Sequence, residues 1–76
     1  MTQNERILEH MRKYGSITQA EAMKDYGIMR LGARIYDLRR EGYRINAAFI
    51  KGKNRYGEPV SYASYSMEEV KENGSI

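Results

Sequence analysis

The chain has 76 residues, no cysteine, one histidine and a formal net charge of +3. A single domain of this size buries roughly 60% of the surface its unfolded chain exposes, and without cysteine it has no disulfide or thiolate metal site to stiffen it. The polar opening Met1-Thr2-Gln3-Asn4-Glu5 is unlike a secretory leader and no apolar run approaches membrane-spanning length, so a cytoplasmic protein is expected.

The distribution of charge says more than its total. Arg30, Arg34, Arg39, Arg40, Arg44, Lys51, Lys53 and Arg55 lie between Met29 and Arg55 against only Asp37 and Glu41, a local +6. The rest of the chain holds five bases and eight acids, a net of −3. Positive charge gathered in one segment is the footprint of a nucleic-acid face, where phosphates are the complementary partner.

Thr2 followed three residues later by Glu5 has the form of a capping box and starts a first helix near Gln3. Ile7, Leu8 and Met11 supply its apolar stripe, with Tyr14 as an extension, and Gly15 stops it. Ser16 and Ile17 read as a short extended piece. Thr18 and Glu21 repeat the capping pattern and open a second helix, whose buried side is expected at Ala20 and Met23, with Ala22 less firmly placed. Tyr26 and Gly27 end it, and a turn of two or three residues leads to the next helix.

In that next helix Ile28, Leu31, Ile35 and Leu38 recur at spacings of three and four and line one face. Met29, Ala33, Tyr36 and Arg40 fall on the opposite face, flanked by Arg30 and Asp37. Gly42 ends it. Apolar anchors behind, with long donors and small close-approach residues in front, are what a helix seated in the major groove needs.

Beyond Gly42 the pattern becomes extended. Tyr43 to Ile50 carries Ile45, Ala47 and Phe49 at period two, and Val60 to Met67 sets Ala63, Tyr65 and Met67 against Val60 and Tyr62. The stretch Lys51-Gly52-Lys53-Asn54-Arg55-Tyr56-Gly57-Glu58-Pro59 between them is a turn-rich basic loop, so the three pieces form a hairpin. A lone hairpin is marginal in water and must pack on the helices, and Ser16-Ile17 is placed to add a third short strand. Residues 68–76 form a short acidic tail, expected as a helical turn or a frayed end.

Candidate contacts to DNA follow from these placements. Arg30, Tyr36 and Arg40 reach base edges or phosphates, Met29 and Ala33 allow close approach to the groove, and Arg34 is in reach of Asp37 three residues on. Arg39, at the margin of the buried face, is balanced between a structural role and DNA contact. Thr18 and Gln19 open a helix whose free N–H groups favour phosphate. Lys51, Lys53 and Arg55, spaced by two, would project together along the backbone or into the minor groove. Of the aromatic residues, Tyr43 and Tyr65 are expected in the core and Tyr56 and Tyr62 at the surface. Catalysis has little to stand on: His10 reads as a boundary helix residue without an orienting partner, and no cluster has metal-ligand spacing. Gly52 and Gly57 have the spacing of a phosphate-binding loop, but Glu58 and Pro59 stand where lysine and a hydroxyl residue are required.

The strings Asn4-Glu5-Arg6-Ile7-Leu8, Gly15-Ser16-Ile17-Thr18, Glu21-Ala22, Gly27-Ile28, Arg30-Leu31, Ala33-Arg34-Ile35, Asp37-Leu38-Arg39 and Gly42-Tyr43-Arg44-Ile45 together resemble a family of short winged helix-turn-helix proteins common in bacteriophage and prophage genomes. The resemblance spans about residues 4–67 and is most specific from Arg30 to Gly42. It implies a winged-helix DNA-binding domain. The expected architecture is therefore α+β, with three helices followed by a two-stranded wing, over residues 1–67. The expected activity is non-catalytic binding of duplex DNA, as a transcriptional regulator or architectural factor in a phage or mobile-element setting. No cofactor, metal or small-molecule ligand is implied, and a homodimer or several copies on one site would extend the few base pairs that one copy reads. The competing reading is a winged helix that docks on a protein of the host or phage machinery.

Overall fold

The computed structural model describes residues 1–68, and the acidic tail beyond Glu68 lies outside them. Helix α1 (Gln3–Tyr14) leads through the short strand β1 (Ile17–Thr18) into α2 (Gln19–Tyr26) and α3 (Leu31–Arg40), and strands β2 (Ile45–Lys53) and β3 (Pro59–Met67) close the chain as a hairpin. The three strands form one antiparallel sheet in the order β1-β3-β2, with Ile17 opposite Tyr65 and Ile45 opposite Met67. The third strand expected at Ser16-Ile17 is present, shifted by one residue.

Both capping boxes form. The Thr2 hydroxyl accepts the Glu5 N–H at 3.1 Å while the Glu5 carboxylate accepts the Thr2 N–H at 2.7 Å. Thr18 and Glu21 repeat the exchange at 3.2 and 3.0 Å. Each box satisfies two donors that the first turn of a helix otherwise leaves free.

Ile7, Ile17, Ile28, Leu31, Ile35 and Leu38 are fully buried, and Leu8, Met11, Ala22 and Ile45 complete the core. Each large aliphatic side chain buried there contributes about 1.5–3 kcal/mol, so a few residues carry most of the domain's stability. Tyr26, Tyr43, Tyr65 and Met67 pack against this cluster from its margin.

Three sequence expectations about packing are corrected. Tyr14 does not extend the α1 stripe; it is 63% exposed, and the residue that continues the buried face is His10, 4% exposed. His10 does have partners: Nδ1 lies 2.7 Å from the Tyr26 hydroxyl and Nε2 lies 3.8 Å from Glu21 Oε1. A histidine satisfied by a tyrosine and a carboxylate can enter a core that an unpaired one cannot. In α2, Ala20 and Met23 are exposed and Ala22 is the buried residue. The inward face of this helix is Ala22 with the half-buried Tyr26, whose hydroxyl meets His10.

The turn between α2 and α3 has four residues, Gly27–Arg30, instead of two or three. Gly27 adopts φ 69°, and the Ile28 N–H reaches back to the Ala22 carbonyl at 3.1 Å. This closes α2 with a left-handed residue that glycine adopts without a Cβ clash. Ile28 is accordingly buried from the turn and not from α3, and Met29 stands in the turn, 71% exposed, ahead of the helix on which it was expected.

The hairpin is longer than its sequence suggests. Pairing continues through Lys51–Ser61, Gly52–Val60 and Lys53–Pro59, so the turn is only residues 54–58. The expected loop from Lys51 to Pro59 gives four of its nine residues to the strands, because the register runs unbroken to the Lys53–Pro59 pair and the Asn54 side chain closes the turn just beyond it.

Candidate nucleic-acid interface

Helix α3 begins at Leu31 without a side-chain cap from its own N-cap residue, Arg30. Gln19 supplies the missing partner from α2. Its Oε1 accepts the Leu31 N–H at 2.8 Å, and its Nε2 donates to the Ile28 carbonyl at 2.8 Å. One amide thus ties both ends of the turn to the start of α2 and sets where α3 leaves it. The Gln19 side chain, expected as part of a phosphate contact, is committed to this latch. Thr18 is likewise occupied by its capping box, which also brings the Glu21 carboxylate to the helix terminus where a phosphate would sit. That local negative charge opposes an anion there.

The buried face of α3 is Leu31, Ile35 and Leu38, so its opposite face is turned outward. Arg30, Tyr36 and Arg40 are all exposed and Ala33 is half-buried. The Arg40 guanidinium lies 5.8 Å from the centre of the Tyr36 ring, one helical turn away, which restrains both long side chains. Arg34 and Asp37 approach to 3.5 Å, the spacing read from the sequence. Both are partly exposed, and a pair of this kind contributes only a few tenths of a kcal/mol while orienting the arginine. Arg39 does not join the outward set. Its Nε and Nη2 donate to the Ile45 carbonyl at 3.1 and 2.8 Å and tie α3 to the first residue of β2.

Gly42, with φ 108°, turns the chain from α3 toward β2, and the Tyr43 N–H caps the helix by donating to the Leu38 carbonyl at 3.1 Å. The strands then carry the basic residues away from the helices. Ile45, Ala47, Phe49, Lys51 and Lys53 share one sheet face with Tyr65 and Met67, by the alternation of side chains along paired strands. Tyr65 marks the inner end of this face: its hydroxyl lies 4.0 Å from where a Cβ would stand on Gly32, at the start of α3. From Tyr65 out to Pro59, opposite Lys53, is six residues, or about 20 Å at roughly 3.3 Å per residue.

Arg55 does not project with Lys51 and Lys53, because it belongs to the turn and not to the strand. The turn is closely tied. Asn54 Oδ1 accepts the Tyr56 and Glu58 N–H groups at 2.9 and 3.0 Å, and its Nδ2 donates to the Glu58 carboxylate at 2.9 Å. The Gly57 N–H donates to the Asn54 carbonyl at 3.0 Å. Arg55 and Tyr56 are therefore presented, exposed, on a tip held by the Asn54 side chain.

Helix, tight turn, outward-facing second helix and extended basic hairpin make up a recognisable whole. The family model described as winged helix-turn-helix domain matches residues 2–70. The chain belongs to that family. No curated protein and no solved structure matches it. The winged helix-turn-helix match reaches three residues past the boundary expected at residue 67. Among the described residues no helix is long and apolar enough to cross a membrane, and no group of histidine, aspartate or glutamate is arranged to hold a metal ion.

The sequence missed Gln19 as a latch and Asn54 as the organiser of the tip. Asn54 carried a signal, since asparagine in a glycine-containing loop favours turns held by its own side chain. Gln19 carried none, because its partners are nine and twelve residues away.

Proposed function

We propose that this winged helix-turn-helix domain binds duplex DNA, with α3 in the major groove and the wing crossing one phosphate backbone to the adjacent minor groove. The observation that carries the reading is the length of the wing, about 20 Å along the strand from Tyr65, whose hydroxyl lies beside the start of α3, to the Lys53 level. Neighbouring major and minor grooves are spaced by about half of a 34–36 Å helical turn, which the wing spans. Arg30, Tyr36 and Arg40 are the base-reading set, with Met29 and Ala33 at the groove and Arg34 held by Asp37 for a phosphate. Lys51, Lys53 and Arg55 supply backbone or minor-groove contacts. The reading implies a non-catalytic transcriptional regulator or architectural factor acting on DNA in the cytoplasm, in a phage or mobile-element genome. Two or more copies on one site would give useful specificity.

The test is selection of bound sequences from a random duplex pool, followed by affinity measurement across a salt series. Each neutralised phosphate contributes about −0.9 to the slope of log affinity against log salt, so several contacts give a slope of about −3 to −6. No binding at low salt would overturn the proposal.

A further inference from the structure

Strand β2 lies at the edge of the sheet, with β3 on one side and no strand on the other among the described residues. The direction of its main-chain groups can be fixed. Antiparallel strands alternate between pairs that exchange hydrogen bonds and pairs whose N–H and C=O groups point away from each other. The Glu68 N–H donates to the Arg44 carbonyl at 2.8 Å, and the Asn54 N–H donates to the Glu58 carbonyl at 3.0 Å. Both pairs continue the uniform register of β2 and β3. Even-numbered residues of β2 therefore bond to β3, and odd-numbered ones direct their groups out of the sheet.

Ile45 checks this independently. It is odd-numbered, and its carbonyl accepts the Arg39 guanidinium through two N–H groups. That contact closes the inner end of the edge. Ala47, Phe49, Lys51 and Lys53 follow, all exposed, with outward N–H and C=O groups that have no strand to meet. Long open edges of this kind are templates for strand addition unless the fold covers or interrupts them. From Ala47 to Ile50 there is no charge, proline or glycine to interrupt it.

We propose that this edge takes up an acidic extended peptide as an added antiparallel strand. Main-chain bonds to Ala47, Phe49, Lys51 and Lys53 supply the binding, and side chains supply the choice. Phe49, 77% exposed, shares a face with Lys51 and Lys53. An antiparallel partner meets them in the order Lys53, Lys51, Phe49, so the sequence that fits is acidic–any–acidic–any–apolar. Charge decides against a second copy of β2, which would bring its own Lys51, Lys53 and Arg44 to an edge already flanked by Arg39 and Arg44.

The test uses the whole chain and the capped peptide Thr-Glu-Thr-Glu-Thr-Val-Thr-Val-Thr. Its glutamates fall opposite Lys53 and Lys51, and its valines opposite Phe49 and Ala47. Titration followed by amide NMR is expected to shift the N–H signals of Ala47, Phe49, Lys51 and Lys53 more than those of Ala48, Ile50 and Gly52. N-methylation of the second glutamate and first valine removes donors that face β2 and is expected to weaken binding about tenfold or more. N-methylation of the two threonines that follow these residues, whose donors face away, is expected to leave it within about twofold. Ala47→Pro removes one edge donor but no β2–β3 bond, so it folds and binds the peptide more weakly. Ala48→Pro breaks the hairpin ladder itself. The proposal is overturned if no amide shifts at millimolar peptide, if both N-methylated peptides bind equally well, or if the chain self-associates through β2 and excludes the peptide.

Discussion

The Gln19 latch gives the sharpest test of how this domain aims its third helix. Gln19→Ala removes two hydrogen bonds of 2.8 Å and leaves the Ile28 carbonyl and the Leu31 N–H without their partner. Both bonds are partly buried, so water replaces them only in part. At about 0.5–1.5 kcal/mol per bond the loss is roughly 1–3 kcal/mol. A chain of 76 residues has a total stability of roughly 4–11 kcal/mol, so the latch is a large share of it. A loss of about 2 kcal/mol lowers the midpoint of thermal unfolding by about 8–16 °C. Thermal and urea unfolding measure the total, and hydrogen exchange at the Leu31 amide reports the local opening. Gln19→Glu keeps an acceptor for the Leu31 N–H but places a carboxylate against the Ile28 carbonyl, and should fall between alanine and wild type. If Gln19→Ala unfolds with the wild type and the Leu31 amide stays equally protected, the latch contributes nothing and α3 is positioned by its apolar face alone.

Leu38→Ala, at a fully buried site, should cost about 2–5 kcal/mol in urea unfolding, and a melt close to wild type would mean that the assigned core face is wrong. Gly42→Ala should cost about 1–2 kcal/mol from backbone strain alone, since a Cβ there meets nothing within 4 Å at φ 108°; unchanged stability would show that the turn relaxes. Hydrogen bonding from the Thr2 N–H holds the Glu5 carboxyl below the ordinary glutamate value. Its depressed folded-state pKa means that the capping box stabilises above the unfolded value and loses that contribution as pH falls through the folded one, so acid titration of wild type and Glu5→Ala should converge at low pH. Arg40→Ala should cost about 1–3 kcal/mol on the selected DNA site and flatten preference at one position, while replacing Lys51 and Lys53 together should weaken all duplexes alike and reduce the salt slope by roughly one per lysine. The reverse pattern would exchange the roles given to helix and wing.

Much of the local chemistry was legible from the chain itself, though the side-chain turn at Asn54 was not read. The two Thr-x-x-Glu boxes, the stop at Gly15 and the apolar spacing of Leu31, Ile35 and Leu38 act within one or two helical turns, and all stand in the structure as read. The extended character of the two hairpin arms and the outward face of Tyr36 and Arg40 on α3 follow from the same short-range periodicities. What depended on partners far along the chain could be decided only by tertiary structure. His10 is buried because Tyr26, sixteen residues away, meets its Nδ1. Ala22 faces inward instead of Ala20 and Met23, on the side where Tyr26 meets the buried His10. Arg39 leaves the basic outer set because the Ile45 carbonyl emerges at an open sheet edge within its reach. Periodicity ranks side chains by polarity, but burial depends on whether a polar group meets its complement, and that pairing exists only once the elements are packed.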